Sequence, residues 1–202
     1  MRRSIGLRRS AAGALCALLL LSATSWAAST DDAKHLTAIL ILAHDDVADP
    51  DFAQSVVLVM NNLAPAPVGI IVNRPTRIGV SQLFPDLKRL AALPDKVYFG
   101  GPVEIDTVWF LFRAAKPPEH AIRAFDDIYV SADRELLLKL LGRDKPMEGL
   151  RIFAGHAGWA PGQLEGEINS GDWTLRRADS DAIFNGKSDH PWPGQRSQKD
   201  TT

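Results

Sequence analysis

The chain has 202 residues, of which 46% are hydrophobic and 23% charged, with a formal net charge of −1. That composition suits one globular domain with a sizeable core. It disfavours nucleic acid as the main partner, because phosphate binding needs clustered positive charge.

The first 27 residues differ from the rest. Arg2, Arg3, Arg8 and Arg9 precede an apolar run over residues 11–21, and Ser25-Trp26-Ala27 offers small residues at the two key positions of a cleavage site. This three-part order reads as a secretory signal peptide, residues 1–27. The run is too short for a comfortable transmembrane helix, so the mature chain is expected to carry no membrane span and to reside in the periplasm or outside the cell. Cleavage after Ala27 removes Cys16, the only cysteine, and with it any disulfide or thiol chemistry. Removing the four leader arginines from 23 basic residues leaves 19 against 24 acidic ones, a net charge of −5. Beyond the leader the basic doublets are Lys88-Arg89 and Arg176-Arg177, and each reads as a solvated face.

After a linker over residues 28–35, residues 36–43 form an aliphatic run that predicts a buried strand. His44, Asp45, Asp46, Asp49 and Asp51 follow as an oxygen-rich loop without the order of a calcium-binding hand; it reads as a solvated acidic loop, and no metal is assigned to it. Residues 55–60 and 68–72 predict two strands of an antiparallel hairpin around a proline-containing turn. A short helix is expected from Pro85. Strands are expected over residues 96–99, 107–112 and 127–130. Residues 131–141 give the clearest helix, with Ser131 as N-cap, Asp133 and Glu135 in the first turn, and a face of Leu136, Leu137, Leu140 and Leu141.

Residues 150–154 predict a strand. Gly155-His156-Ala157-Gly158 then reads as a tight glycine turn, and Pro161 as the first turn of a helix with Leu164 and Ile168 on one face. A strand over residues 173–177 and a short helix over 179–184 close the domain. Residues 187–202, polar and rich in proline and glycine, read as a disordered tail. Strands outnumber helices, so the fold class is α+β: one compact domain, residues 36–186, with a mixed, largely antiparallel sheet flanked by a few short helices.

Several residues have the chemistry of a binding site. Asn73-Arg74-Pro75 ends a strand, and an arginine there can hold a carboxylate or phosphate in a bidentate fork or pair within the fold. Gly100-Gly101-Pro102 can bring backbone N–H groups to an anion or simply turn the chain. Gly158, Trp159 and Gln163 stand at the predicted helix start, where free N–H groups also favour anions. His156 near Glu165 and Glu167 can act in acid–base chemistry, but Ala157 occupies the place of a nucleophile in the hydrolase elbow. A histidine hydrogen-bonded to backbone beside Trp159 is the structural alternative.

Four blocks in order carry a family resemblance. They are Leu42-Ala43 through Asp49-Pro50-Asp51-Phe52 to Ser55-Val56-Val57-Leu58; Gly69-Ile70-Ile71-Val72-Asn73-Arg74-Pro75; Tyr98-Phe99-Gly100-Gly101-Pro102-Val103; and the segment from Gly155 to Ile168, with Trp173 beyond it. Together they resemble the YqgE/AlgH family of bacterial proteins over roughly residues 36–185. The chain departs from the pattern at His44-Asp45, at His156, where the family usually has tyrosine, and in its leader. The resemblance implies a compact fold with a mixed sheet and no established reaction. The family's usual label, transcriptional regulator, comes from a genetic association and needs a cytosolic chain with a basic face.

The residues therefore favour a non-enzymatic binding or regulatory module, exported, without a cofactor. Its partner would be a small anionic ligand or a peptide, held by Asn73, Arg74, Gly100, Gly101, His156, Gly158, Trp159 and Gln163 if those motifs converge in space. The alternatives are a hydrolase or metal-assisted enzyme using His156 and Glu165, and the regulator that the family label implies.

Overall fold

The computed structural model describes residues 38–185 apart from Asp45, Asp46, Ala48 and Asn62. The expected leader, linker and tail lie outside the described residues. Ten strands make one curled sheet: β1 (Ala38–Ala43), β2 (Val56–Met60), β3 (Val68–Ile71), β4 (Pro75–Gly79), β5 (Lys96–Phe99), β6 (Val103–Arg113), β7 (Ile122–Phe125), β8 (Ile128–Ser131), β9 (Leu150–Gly158) and β10 (Trp173–Arg177). Helices α1 (Val80–Leu83), α2 (Arg134–Leu141), α3 (Gln163–Ser170) and α4 (Ser180–Asn185), with a 3-10 turn at Lys88–Leu90, complete it.

The strand order is β10-β1-β2-β3-β9-β6-β8-β7, with every pair antiparallel. Strand β5 runs parallel to β9 and carries β4 antiparallel on its other side. The sheet is thus mixed and largely antiparallel, and it dominates the fold more than the expected balance of helix and strand. The expected hairpin is β2–β3, in register Val57↔Ile71 to Met60↔Val68.

Strand β9 organises the molecule. Residues 150–154 and His156 pair with β6, and Phe153 and Ala154 with β5, while Ala157 and Gly158 pair with Gly69 and Val68 of β3. One apolar cluster joins the two halves of the sheet through Leu58, Ile70, Leu111, Val130 and Phe153. A second packs Leu137 and Leu141 of α2 against Phe110, Tyr129 and Ile152. A third packs Trp159, Leu164 of α3 and Trp173 against Ile41, Val57, Val59 and Ile71. Strand β2 is buried at every position because clusters lie on both of its faces, which is why it reads as a continuous apolar run. Each fully buried Leu, Ile or Phe contributes about 1.5–3 kcal/mol of transfer free energy.

The structure corrects several local expectations. No helix starts at Pro85; α1 ends at Leu83, and Phe84 sits at φ −130, ψ 64, because a residue before proline is pushed out of the α region. The N-cap of α2 is Asp133, whose Oδ1 accepts the Leu136 N–H at 2.7 Å. Ser131 instead ends β8; its hydroxyl donates to the His120 carbonyl at 2.5 Å and accepts the Asp133 N–H at 3.0 Å. The chain does not turn at Gly155. Strand β9 continues to Gly158, and α3 starts only after Gly162, which has φ +80. Strands β4 and β7 form where none was expected, and β6 is longer than predicted at both ends.

Candidate functional site

The motif blocks meet around the C-terminal half of β9. There the Gly100 N–H donates to the Ala154 carbonyl at 2.8 Å, and the Gly100 carbonyl accepts from the Ile71 N–H at 2.8 Å. A Cβ on Gly101 would lie 2.2 Å from the His156 carbonyl carbon, and one on Gly155 would lie 2.4 Å from the Gly101 oxygen. Gly155 also has φ +68. Only glycine allows the two backbones to lie so close.

Asn73 and Arg74 fasten the β1–β2 loop onto this crossing. Asn73 Oδ1 accepts the Val56 N–H at 2.9 Å, and its amide donates to the Gln54 carbonyl at 2.9 Å. The Arg74 guanidinium donates to the carbonyls of Asp51 at 2.8 Å and Ala53 at 2.9 Å, and to Ser55 Oγ at 3.2 Å. It lies 5.6 Å from the centre of the Phe99 ring. The pinned loop presents Phe52 to Trp159 and Trp173, at ring-centre distances of 6.1 and 5.8 Å.

Both indoles then converge on one carboxylate. Trp159 Nε1 and Trp173 Nε1 each donate to Glu167 Oε2 at 2.9 Å, and Gln163 Nε2 donates to Oε1 at 2.9 Å. Gln163 Oε1 in turn accepts the Ala160 N–H. Glu167 and Gln163, one helical turn apart on α3, thus tie the helix to the aromatic pair. Asn73, Arg74, Gly100, Gly101, Trp159 and Gln163 are therefore in one neighbourhood, each bonded to or packed against another part of the fold, while Gly158 is exposed beside them.

His156 departs from both readings of its sequence. It stacks on Trp109, with ring centres 5.4 Å apart, rather than on Trp159, and neither Glu165 nor Glu167 hydrogen-bonds to it. Its Nδ1 and Trp109 Nε1 are buried without a hydrogen-bond partner. Of the acidic loop, Asp49 Oδ1 accepts the Asp51 N–H, while Asp45 and Asp46 lie outside the described residues. Among the described residues no group of three His, Cys, Asp or Glu is placed to hold a metal ion.

A cleft of about 380 Å³ opens at the N-terminal end of β9. It is lined in part by Arg151, which sequence reasoning passed over. The guanidinium lies 4.4 Å from the centre of the Tyr98 ring. It donates to the Val72 carbonyl at 3.3 Å and the Phe184 carbonyl at 3.2 Å, both long contacts. Among the described residues no carboxylate forms an ion pair with it. Burial pushes its pKa below the usual arginine value, while the Tyr98 hydroxyl and Asp95 act in the opposite direction. The group remains a cation, because arginine starts far above neutrality. Lys96, Asp95 and Glu148 bring further charge to the walls, and Met147, Leu150 and Phe184 bring apolar surface. The sequence signal for this site was an arginine inside an otherwise apolar strand.

A curled, mostly antiparallel sheet whose glycine crossing locks β5 and β3 onto β9 defines the structural class. An AlgH-like family profile matches residues 40–198. A UPF0301 protein of Mycobacterium ulcerans is 33% identical over 171 residues, covering 76% of this chain and 82% of its own length. One from Nocardia farcinica is 35% identical over 147 residues, covering 69% and 66%. The solution structure of the AlgH protein from Pseudomonas aeruginosa is similar at a TM-score of 0.61 and 26% identity, covering 80% of this chain and 84% of that one. A crystal structure of protein DIP2367 from Corynebacterium diphtheriae gives 0.57 and 26%, covering 72% and 78%. The chain belongs to the AlgH-like family.

Proposed function

We propose that this protein is an exported, non-catalytic binding module of its family that takes a small anionic ligand in the Arg151 cleft. The carrying observation is a half-buried guanidinium that forms no ion pair among the described residues, on the wall of an open cleft of about 380 Å³. A buried charge is costly unless it is paired and hydrogen-bonded, and a carboxylate or phosphate would supply both. The cleft has the size of a small-molecule site.

The residues singled out by motif fit a supporting role in this reading. Arg74 spends its guanidinium on loop carbonyls, and Glu167 spends its carboxylate on two indoles. The acid–base alternative would need His156 coupled to a carboxylate, and Glu165 and Glu167 make no hydrogen bond to it. Export is read from the leader, with its arginines, apolar run and Ser25-Trp26-Ala27.

Two measurements test the proposal. Calorimetric titration with inorganic phosphate and acetate should give binding that Arg151→Met abolishes and Arg74→Met leaves intact; binding unaffected by Arg151→Met would overturn the site. Intact mass of the native protein in separated cell fractions should find a periplasmic species that starts near Ala28. A full-length cytosolic species would overturn export and return the regulatory reading to first place.

A further inference from the structure

We propose that the Arg151 cleft selects a small zwitterion, an α-amino acid or a dipeptide, whose carboxylate meets Arg151 and whose ammonium meets Asp95. This rests on the reading of the cleft as an anion site and names its ligand class. Four charged residues line the cleft, two of each sign: Lys96 and Arg151, Asp95 and Glu148. A polyanion such as a diphosphate would face two carboxylates there, and like charges repel at close range. A ligand carrying both signs would meet a partner for each.

The two carboxylates are not equivalent. Glu148 is already paired with Lys145 at 3.3 Å. The Asp95 side chain enters no hydrogen bond or ion pair among the described residues, while its backbone carbonyl accepts the Val80 N–H at 3.0 Å and anchors the residue. Asp95 and Arg151 line the same cleft, yet the two do not form an ion pair. Opposite charges on one cleft left unbridged present a complementary pair to a zwitterion. Tyr98, Met147, Leu150 and Phe184 then offer an apolar wall for the ligand's side chain.

The test is calorimetry on the full chain with a panel of proteinogenic amino acids, simple dipeptides, their N-acetylated forms and inorganic phosphate. At least one zwitterion should bind, and N-acetylation should weaken it about tenfold or more, the cost of one charge-assisted contact. Asp95→Asn, which keeps the backbone carbonyl, should erase that preference while leaving the N-acetylated ligand bound as before. Arg151→Lys should weaken every ligand and keep the preference for a free amine. If phosphate or N-acetylated ligands bind as well as the zwitterion, or Asp95→Asn leaves the preference intact, the zwitterion inference falls and the anion site stands. If no member of the panel binds, both fall.

Discussion

Arg74 and Arg151 flank strand β5, over the consecutive rings of Phe99 and Tyr98, and look alike on paper. Each lies over an aromatic ring and donates to two backbone carbonyls. Arg74 does so at 2.8 and 2.9 Å, with Ser55 Oγ as a third acceptor, and holds a loop shut. Arg151 does so at 3.3 and 3.2 Å, closer to its ring, beside an open cleft. The first spends its directional bonding inside the fold, and the second keeps donors in reserve. An arginine's hydrogen-bond geometry, more than its place in a motif, separates fastening from recognition.

The glycine crossing gives the largest expected effect. Gly155→Ala would put a Cβ 2.4 Å from the Gly101 oxygen on a residue at φ +68. Backbone faces backbone there, so no side chain can swing away, and destabilisation of about 4 kcal/mol or more is expected. Urea unfolding should show it, or the variant should fail to accumulate as folded protein. A stable Gly155→Ala variant would mean that the crossing is looser than these contacts require.

Next comes the carboxylate clasp. Glu167→Ala leaves the N–H groups of two buried indoles without their acceptor, and a cost of about 2–4 kcal/mol is expected. Glu167→Gln keeps a carbonyl acceptor and should cost about 1 kcal/mol. Thermal unfolding measures both, and neither should change ligand binding in the Arg151 cleft. A loss of binding in Glu167→Gln would join the two regions into one site and break the comparison.

The two arginines can then be set against each other directly. Arg74→Met should cost about 1–2 kcal/mol, because it strands loop carbonyls and frees the segment that carries Phe52; faster amide exchange at Phe52 and Ser55, whose N–H groups bond within that loop, should accompany it. Arg151→Met should change stability by less than about 1 kcal/mol, since removing a half-buried charge offsets the lost contacts. The sign of the pKa shift agrees. A base whose folded pKa is lowered makes the charged form a burden to the native state below that pKa, and the burden lifts only as pH rises through it, far into the alkaline range. No pH dependence of stability near neutrality is expected from Arg151.

Legibility in the sequence followed the same divide. Strands β1 and β2 and the β2–β3 hairpin could be read because their apolar runs match what the sheet buries. Strand β4 escaped because Pro75-Thr76-Arg77 gives no apolar run, and β7 because its four residues, with Arg123 inside and Ile122 exposed, are too short to show an alternation. Pro85 misled because it separates two short helical turns instead of starting one. The motif neighbourhood could be anticipated from the order of its blocks. The carbonyls that hold Arg74 and the two indoles that hold Glu167 could not, since they lie outside the segment that carries each side chain. Arg151 was invisible as a site for a related reason. Tyr98 and Phe184 reach it only through the parallel β5–β9 pair and the closing helix α4.

The smallest effect is expected at the rim of the cleft, and it separates electrostatics from structure. Glu148 pairs with Lys145 at 3.3 Å, with both side chains more than two-thirds exposed. Such a pair gains little, because water screens it and two long side chains lose freedom in forming it. Glu148→Gln should therefore change stability by less than about 0.5 kcal/mol. It removes one negative charge from the mouth of an anion site, so a carboxylate ligand should associate somewhat faster, with the gain fading as salt rises. Stopped-flow association at low and high ionic strength measures this. An equal rate in wild type and variant at low salt would show that the rim field does not reach the approaching ligand, and that recognition rests on Arg151 and Asp95 alone.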